Sequence, residues 1–195
     1  LELKLPATVG TANQYLKNSS TPGTLEFGTL SAGKILQVVS NTKTDIYSST
    51  TAQSWTDIGG VDQAGSGSIF AVKITPSATS SKILINTSIH YGMDDGYDMI
   101  LFRIMRGSTA IAIGDAANNR PRGTSSSDPK SDATTGNACF MHLDSPSSTS
   151  ELTYNIEFWA YHGNTFYVNR SYRHHDDANY DYVAASNITV MEVGA

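Results

Sequence analysis

The run Arg173-His174-His175-Asp176-Asp177, with Asp181 shortly after it, gathers the side chains of this chain best suited to chemistry. Adjacent imidazole and carboxylate groups suit Zn, Ni or Fe, which makes His174, His175 and Asp176 candidate metal ligands. In a strand, however, the two histidines would point to opposite faces. The sequence marks no further partner that would close the ligand set. The run therefore reads as a solvated loop, with one histidine per chain on a threefold axis as the way to build a shared site. Asp94, Asp95 and Asp98 supply the hard oxygen atoms that calcium takes, but they lack EF-hand spacing and a closing Glu. Asp94-Asp95-Gly96 reads as a turn. No cofactor is expected.

Catalysis by paired carboxylates would need one group kept protonated in an apolar setting beside an ionised partner. Glu151, Glu157, Asp144, Asp176 and Asp177 are the available carboxylates, and none has neighbours that mark it as acid or base. No Gly-x-Ser-x-Gly elbow and no Ser/His/Asp grouping is present, so no enzyme is expected. Binding is better supported. Flat aromatic rings stack on sugar rings while Asn, Asp and Arg take the hydroxyls, and Tyr offers large contact area at low entropic cost. Asp94, Asp95, Tyr97, Arg120, Arg122, Tyr172, Arg173, Tyr180, Asp181 and Tyr182 are the candidate contacts, with Tyr91 close by in sequence. Any one of these tyrosines serves equally well in a core or between subunits. As a group, 172–182 is read as a binding loop.

These residues need a scaffold, and its class follows from composition. With 195 residues and 39% hydrophobic content, the chain can bury one core and leave a short appendage. Only 16% of residues are charged, the net charge is −5, and the basic residues are scattered, which argues against nucleic acid. No apolar run reaches membrane-spanning length and no signal segment is visible, so membrane insertion is not expected. The single Cys139 lies between Ala138 and Phe140 and is expected to be a buried free thiol. Asn18, Asn86, Asn169 and Asn187 each begin an Asn-x-Ser/Thr triplet, to which no function is assigned.

Period-two alternation dominates the rest. Ile83, Ile85, Thr87 and Ile89 share one face, as do Ile100, Phe102 and Ile104, and again Leu152, Tyr154, Ile156 and Phe158. Gly107-Ser108 and His162-Gly163-Asn164 read as turns, and 187–193 as the last strand. No apolar stripe of helical period survives three turns. About eight to ten closely spaced strands predict an all-β antiparallel sandwich or jelly roll. Two stretches, 115–138 and 171–186, lack periodicity and read as long loops that could share one end with 93–98. Trp55 is expected to anchor a core or interface. Trp159, and Met99, Leu101 and Met105 opposite the inward residues of their strand, suggest an outer face covered by another subunit.

The opening, Leu1 to Gly28, contains short apolar runs between turn residues, none long enough for a core. Such a segment gains order when copies wrap around one another. It carries Leu5-Pro6, Gly10-Thr11-Ala12-Asn13-Gln14-Tyr15-Leu16 and Gly23-Thr24-Leu25-Glu26-Phe27-Gly28. In these motifs it resembles the segments that precede C-terminal heads of bacteriophage tail fibres. The remainder is similar to heads from marine and environmental phages, through Ile35-Leu36-Gln37-Val38-Val39, Ser54-Trp55-Thr56-Asp57-Ile58, Ile74-Thr75-Pro76-Ser77, Leu143-Asp144-Ser145-Pro146 and Ile188-Thr189-Val190-Met191-Glu192-Val193. At fold level, the order of features is similar to trimeric jelly-roll heads of the complement-C1q and tumour-necrosis-factor type. The resemblance implies a shaft-like segment, 1–28, and a head domain, 29–195. It further implies a homotrimer on an extracellular virion tail fibre, bound to other tail proteins through its N-terminal segment. Its target would be a host surface glycan or protein. A capsid or tail decoration without a receptor site is the alternative, and a polysaccharide-degrading fibre a minor one.

Overall fold

The computed structural model describes residues 4–11, 14–29, 35–94, 99–127, 135–177 and 181–194. It divides into two compact units, Leu1–Lys34 and Ile35–Gly194. In the first, β1 (Gln14–Asn18) and β2 (Leu25–Thr29) pair as an antiparallel hairpin, with Leu16 opposite Phe27. Lys4 bridges in parallel to Thr24, and Lys17 pairs with Glu26 at 3.1 Å. Leu5, Val9, Tyr15 and Leu16 remain exposed. A ribbon of this size has marginal stability alone.

The second unit is the all-β sandwich that the alternation predicts, with no helix among the described residues. Its strands are β3 (Ile35–Lys43), β4 (Tyr47–Ser49), β5 (Thr56–Asp57), β6 (Ala71–Ile74), β7 (Lys82–Met93) and β8 (Ile100–Arg106). They are followed by β9 (Thr109–Ile111), β10 (Ser125–Ser127), β11 (Gly136–Asp144), β12 (Leu152–Ala160), β13 (Phe166–Val168) and β14 (Ser186–Val193). Several are collinear pieces of one strand. Residues 83–91 of β7 pair with β11 along one edge; along the other, 82–88 pair with β14 and 91–93 with β13. So β13 and β14 lie end to end, as do β3 and β4 beside them. In the other sheet β9 and β10 share one edge of β8, and β5 and β6 share one edge of β12.

Joined this way, the described strands fill eight positions. In chain order, one sheet reads first, eighth, third, sixth; the other reads second, seventh, fourth, fifth. That interleaving is the jelly roll. Its core is made by the inward residues of both sheets. Ile83, Ile85 and Ile89 from β7 meet Ile100, Phe102 and Ile104 from β8 and Tyr154, Ile156 and Phe158 from β12. Phe158 stacks on Phe166 at 4.1 Å between centroids, and Tyr91 lies 5.2 Å from Phe102. Tyr91 is therefore a core residue, not a loop residue.

Two expectations about outer faces are corrected. Trp159 is buried within a single chain, to 9% exposure, with the Tyr161 ring 6.2 Å away; beside it, the Gln53 amide donates to the Ala160 carbonyl. Met105 is 5% exposed, and Leu101 lies under Gly123. The chain thus covers much of this face itself, and of Met99, Leu101, Met105 and Trp159 it is Met99 that stays exposed. Trp55 sits here too, with the Arg103 guanidinium 4.2 Å above its ring. Cys139 is the second kind of correction. It falls on the outward set of β11, alternating with inward Ala138 and Phe140, and is exposed.

Where a strand is interrupted, a polar side chain replaces the missing rungs. Thr124 Oγ1 accepts from the Ile104 amide at 3.2 Å and donates to the Ile111 carbonyl at 3.4 Å, joining β9 to β10. Asn169 does more between β13 and β14. Fully buried, it donates from Nδ2 to the carbonyls of Lys43 and Asp45, each at 2.8 Å. Its Oδ1 accepts from the Ser186 hydroxyl at 2.7 Å. Its φ of +67° is in the left-handed region, where Asn is better tolerated than most residues. One side chain therefore spans the break in β3–β4 and the break in β13–β14.

Charged groups close one end of the sandwich, where Asp144 and Glu192 both pair with Ile83. Asp144 accepts Nη1 of Arg106 on both oxygens at 2.8 Å, and the Tyr154 hydroxyl on Oδ2 at 2.8 Å. Burial, helped by the hydrogen bond to Asp144, pushes the Tyr154 phenol well above its ordinary range. Glu192 is 1% exposed. It accepts the Ser77 amide and hydroxyl at 2.7 and 2.6 Å and Nε2 of Gln37 at 2.7 Å. Burial alone would raise its pKa, but the bonds from Ser77 and Gln37 prevail and lower it to about 2.

Because the folded pKa of Glu192 lies below the ordinary value of 4.5, its contribution to stability is complete above that value and is lost as pH falls towards 2. Urea midpoints of the native chain should fall across this window. Those of Glu192→Gln should start lower at pH 7 and change less. Equal slopes in the two proteins would contradict the assignment. Asn169→Ala leaves the buried Lys43 carbonyl, the part-buried Asp45 carbonyl and the Ser186 hydroxyl without their partner, and should cost about 2–4 kcal/mol in denaturant unfolding. Amide exchange across 170–177 and 181–185 should quicken with it. A change under about 0.5 kcal/mol, typical of a surface site, would show that the breaks are held otherwise.

Candidate functional site

The excursion between β13 and β14 carries most of the chemistry that the sequence singles out. It leaves the sheet at Asn169 and returns at Ser186, and it is laced at its base. Arg170 and Val183 form an antiparallel bridge. The Asn169 amide donates to His90 O and the Ala184 amide to Asn169 O, both at 2.9 Å. Gly92 allows this base to lie directly on β7, since a Cβ there would come within 2.6 Å of the Arg170 carbonyl oxygen. The Arg170 guanidinium lies 3.9 Å from the Tyr167 ring centroid, and the Tyr172 ring follows at 6.1 Å from Tyr167.

Within the excursion, fully buried Ser171 organises the chain. Its hydroxyl donates to Asp181 Oδ1 at 3.0 Å and accepts the His174 amide at 3.4 Å. The Asp181 amide donates to the Asp177 carbonyl at 3.0 Å. Arg173 stands 3.6 Å from Asp181 Oδ2. Asp181 is thus a brace, its side chain only 4% exposed. Polar pairing inside the loop draws it inward.

Around that brace, His174, His175 and Asp176 are exposed, as are Tyr172 at 42% and Tyr182 at 51%. His174 has a φ of +39°, which turns the backbone sharply at this point. His174, His175, Asp176, Asp177, Asp181, Tyr182 and Val183 line a recess of about 340 Å³. The Tyr182 hydroxyl is hydrogen-bonded to Thr135 Oγ1, which ties the recess to the start of β11. Among the described residues, no three His, Cys, Asp or Glu side chains gather as a metal set. His174, His175 and Asp176 therefore stand beside one another without closing a coordination sphere.

The remaining candidates are distributed as follows. Asp94 follows β7, and its amide donates to Thr165 O at 3.3 Å. It stands at the same end of the sandwich as the start of β11, since Met93 pairs with Phe166, and Tyr91 pairs with both Val168 and Gly136. Asp95, Tyr97 and Tyr180 lie outside the described residues, as does Asp98. Arg120 and Arg122 belong to the other excursion, between β9 and β10, whose returning arm lies over Leu101 on the opposite sheet. Arg120 is exposed. Arg122 donates from Nε to Gly114 O at 2.6 Å and so braces its own loop.

Of the carboxylates considered for catalysis, Asp144 and Glu157 are both held in ion pairs. Arg106 holds the first; Arg103 reaches Glu157 at 2.5 Å, with both side chains largely buried. Sequence reasoning passed over Asn169, Ser171 and Thr124, which position the two excursions. Their only signal is a polar residue at the point where a periodic strand stops.

No family model matches the chain, and no curated protein matches it. Among solved structures, it is similar to that of infectious bursal disease virus Gx strain, with 12% identity, a TM-score of 0.40, and 92% of this chain and 45% of that one covered. The infectious bursal disease virus VP2 subviral particle gives 10%, 0.38, 93% and 46%. The T=1 particles derived from infectious bursal virus give 11%, 0.39, 93% and 41%. The chain spans less than half the length of these chains.

Proposed function

We propose that this chain is a bacteriophage tail-fibre head with its adjoining shaft segment, and that it attaches an extracellular virion to a host cell surface as a homotrimer, without catalysis. The observation that carries this reading is the excursion 169–185. It is anchored by buried Asn169 and Ser171 on a rigid sheet, yet it exposes Tyr172, Tyr182, His174, His175 and Asp176 around a recess of about 340 Å³. Rigid scaffolds that present exposed loops in this way are built for recognition. Asp176 and Asp177 in the lining favour a ligand rich in hydroxyl donors and disfavour an anionic one, which points to a neutral surface glycan. Trimerisation multiplies a weak site through effective concentration, with no new contact. The sequence resemblance to phage fibre heads supplies the biological setting. The binding of Asp144 and Glu157 in ion pairs supports a role without hydrolysis.

The exposed apolar residues of β3 and β11 favour a second reading, a virion decoration that needs docking and no receptor. The two part under mutation. Tyr182→Ala and Tyr172→Ala should each weaken binding of the purified chain to immobilised neutral bacterial polysaccharides at least tenfold, with melting temperature nearly unchanged. Tyr182→Phe separates the ring from its bond to Thr135. Undiminished binding in both Ala variants would refute the attachment site. Failure of the native chain to bind any surface polysaccharide or bacterial cell would favour decoration.

A further inference from the structure

The outward face of the first sheet is bare in a way that the other sheet's outer face is not. Val38 on β3 pairs with Met191 on β14, Met191 with Leu84 on β7, and Leu84 with Leu143 on β11. These four lie opposite the inward set, so they form one apolar row across the whole sheet. Val38 is 56% exposed and Leu143 45%. Leu36 and Met141, one row away on either side, are exposed at 47% and 65%. The row of Met141 is otherwise polar, with Ser40, Thr189 and Asn86, and the next holds Thr42, Asn187, Ser88 and Cys139. Among the described residues of these strands, Lys82 stands at one rim of this face and His90, beside Asn137, at the other.

We infer that this face is the docking surface for a second copy of the same chain. The inference rests on the reading of the head as an oligomer and assigns the contact. Charge selects the occupant. The chain carries −5 overall, so copies repel one another over most of their surface, whereas this face lets them meet with no like charges apposed. A partner of opposite charge would find nothing here to select it. The face is also sizeable: four strands about 4.8 Å apart and roughly 27 Å long offer about 500 Å² per copy, or about 1,500 Å² in all when three copies turn it to a common axis. The polar rows add hydroxyl and amide groups that can pair with their counterparts across the contact.

Cys139 reports directly on this face, because it is exposed, stands in the third row and is the only thiol in the chain. The experiment combines native mass by light scattering with the rate at which an aromatic disulfide reagent modifies Cys139. Three proteins are compared: the native chain, Val38→Asp with Leu143→Asp, and the milder Val38→Ser with Leu143→Ser. The native chain should be assembled, and its Cys139 should react at least tenfold more slowly than in the Asp pair, which should be monomeric with an unchanged β-sheet circular dichroism spectrum. The Ser pair should fall between. Should the variants misfold, dilution of the native chain through its dissociation range should raise the Cys139 rate by the same factor. An assembled native chain whose Cys139 reacts as fast as the monomer's would overturn the inference, and so would a native chain that stays monomeric at 100 µM (roughly the upper range of weak specific association). Assembly through this face without polysaccharide binding would instead sink the attachment reading and leave the docking face in place.

Discussion

The fold turns on a buried amide. Two neighbouring strands of the first sheet are each interrupted at the same level, between β3 and β4 and between β13 and β14. The side chain of Asn169 supplies the hydrogen bonds that the broken ladders lack. Without it, the buried carbonyl of Lys43 and the part-buried carbonyl of Asp45 would lose a partner, and an unsatisfied buried polar group costs about 1–3 kcal/mol. With it, the sheet tolerates a long excursion in the middle of a strand. The same device appears at Thr124 in the second sheet, on a smaller scale.

This constraint explains why the site was only half legible. Alternation reveals inward and outward sets wherever a strand runs unbroken, and Ile83–Ile89, Ile100–Ile104 and Tyr154–Phe158 are buried as their spacing predicts. It cannot reveal that two short runs belong to one strand, because the joining residue is polar and carries no periodic signal. Asn169 looked like one more Asn-x-Ser triplet. Nor does alternation say which face of an edge strand meets the core when both sets are apolar. On β11, Ala138 and Phe140 took the inside and Cys139 the outside. Trp159 shows the same limit: alternation places it on the outward set, yet it is buried within the single chain. Asp181 looked like a contact residue because nothing in a loop sequence distinguishes a carboxylate facing solvent from one bonded to Ser171.

Charge is handled differently on the two outer surfaces. In the second sheet, Arg103 spans Trp55 and Glu157, and Asn155 donates to Asp57; burial nonetheless raises the Asp57 pKa above its ordinary value. That surface is occupied by the chain's own side chains and by the arm of the 112–124 excursion. In the first sheet, the ionisable groups Lys43, Asp144 and Glu192 point inward and find partners there. Alternation then leaves mainly aliphatic, hydroxyl and amide groups outside, with Cys139 among them and Lys82 and His90 towards the rims. One surface is self-covered and the other is open, although both sheets obey the same period.

The open surface and the excursion lie at different heights on one sheet. The apolar row crosses β7 at Leu84, whereas the excursion is rooted beside His90. Six residues along a strand separate them by about 20 Å. A contact centred on the apolar row therefore leaves the recess of Tyr182, His174 and Asp176 clear of the neighbouring copy. Copies related by rotation about an axis along the sheet would all present that recess at the same end. An excursion placed within a strand, and not at a hairpin tip, has a further effect. Both of its ends are held in the sheet's hydrogen-bond ladder, so in the proposed assembly the sites would keep a fixed spacing. Several weak sites gain avidity only when their spacing is fixed in this way.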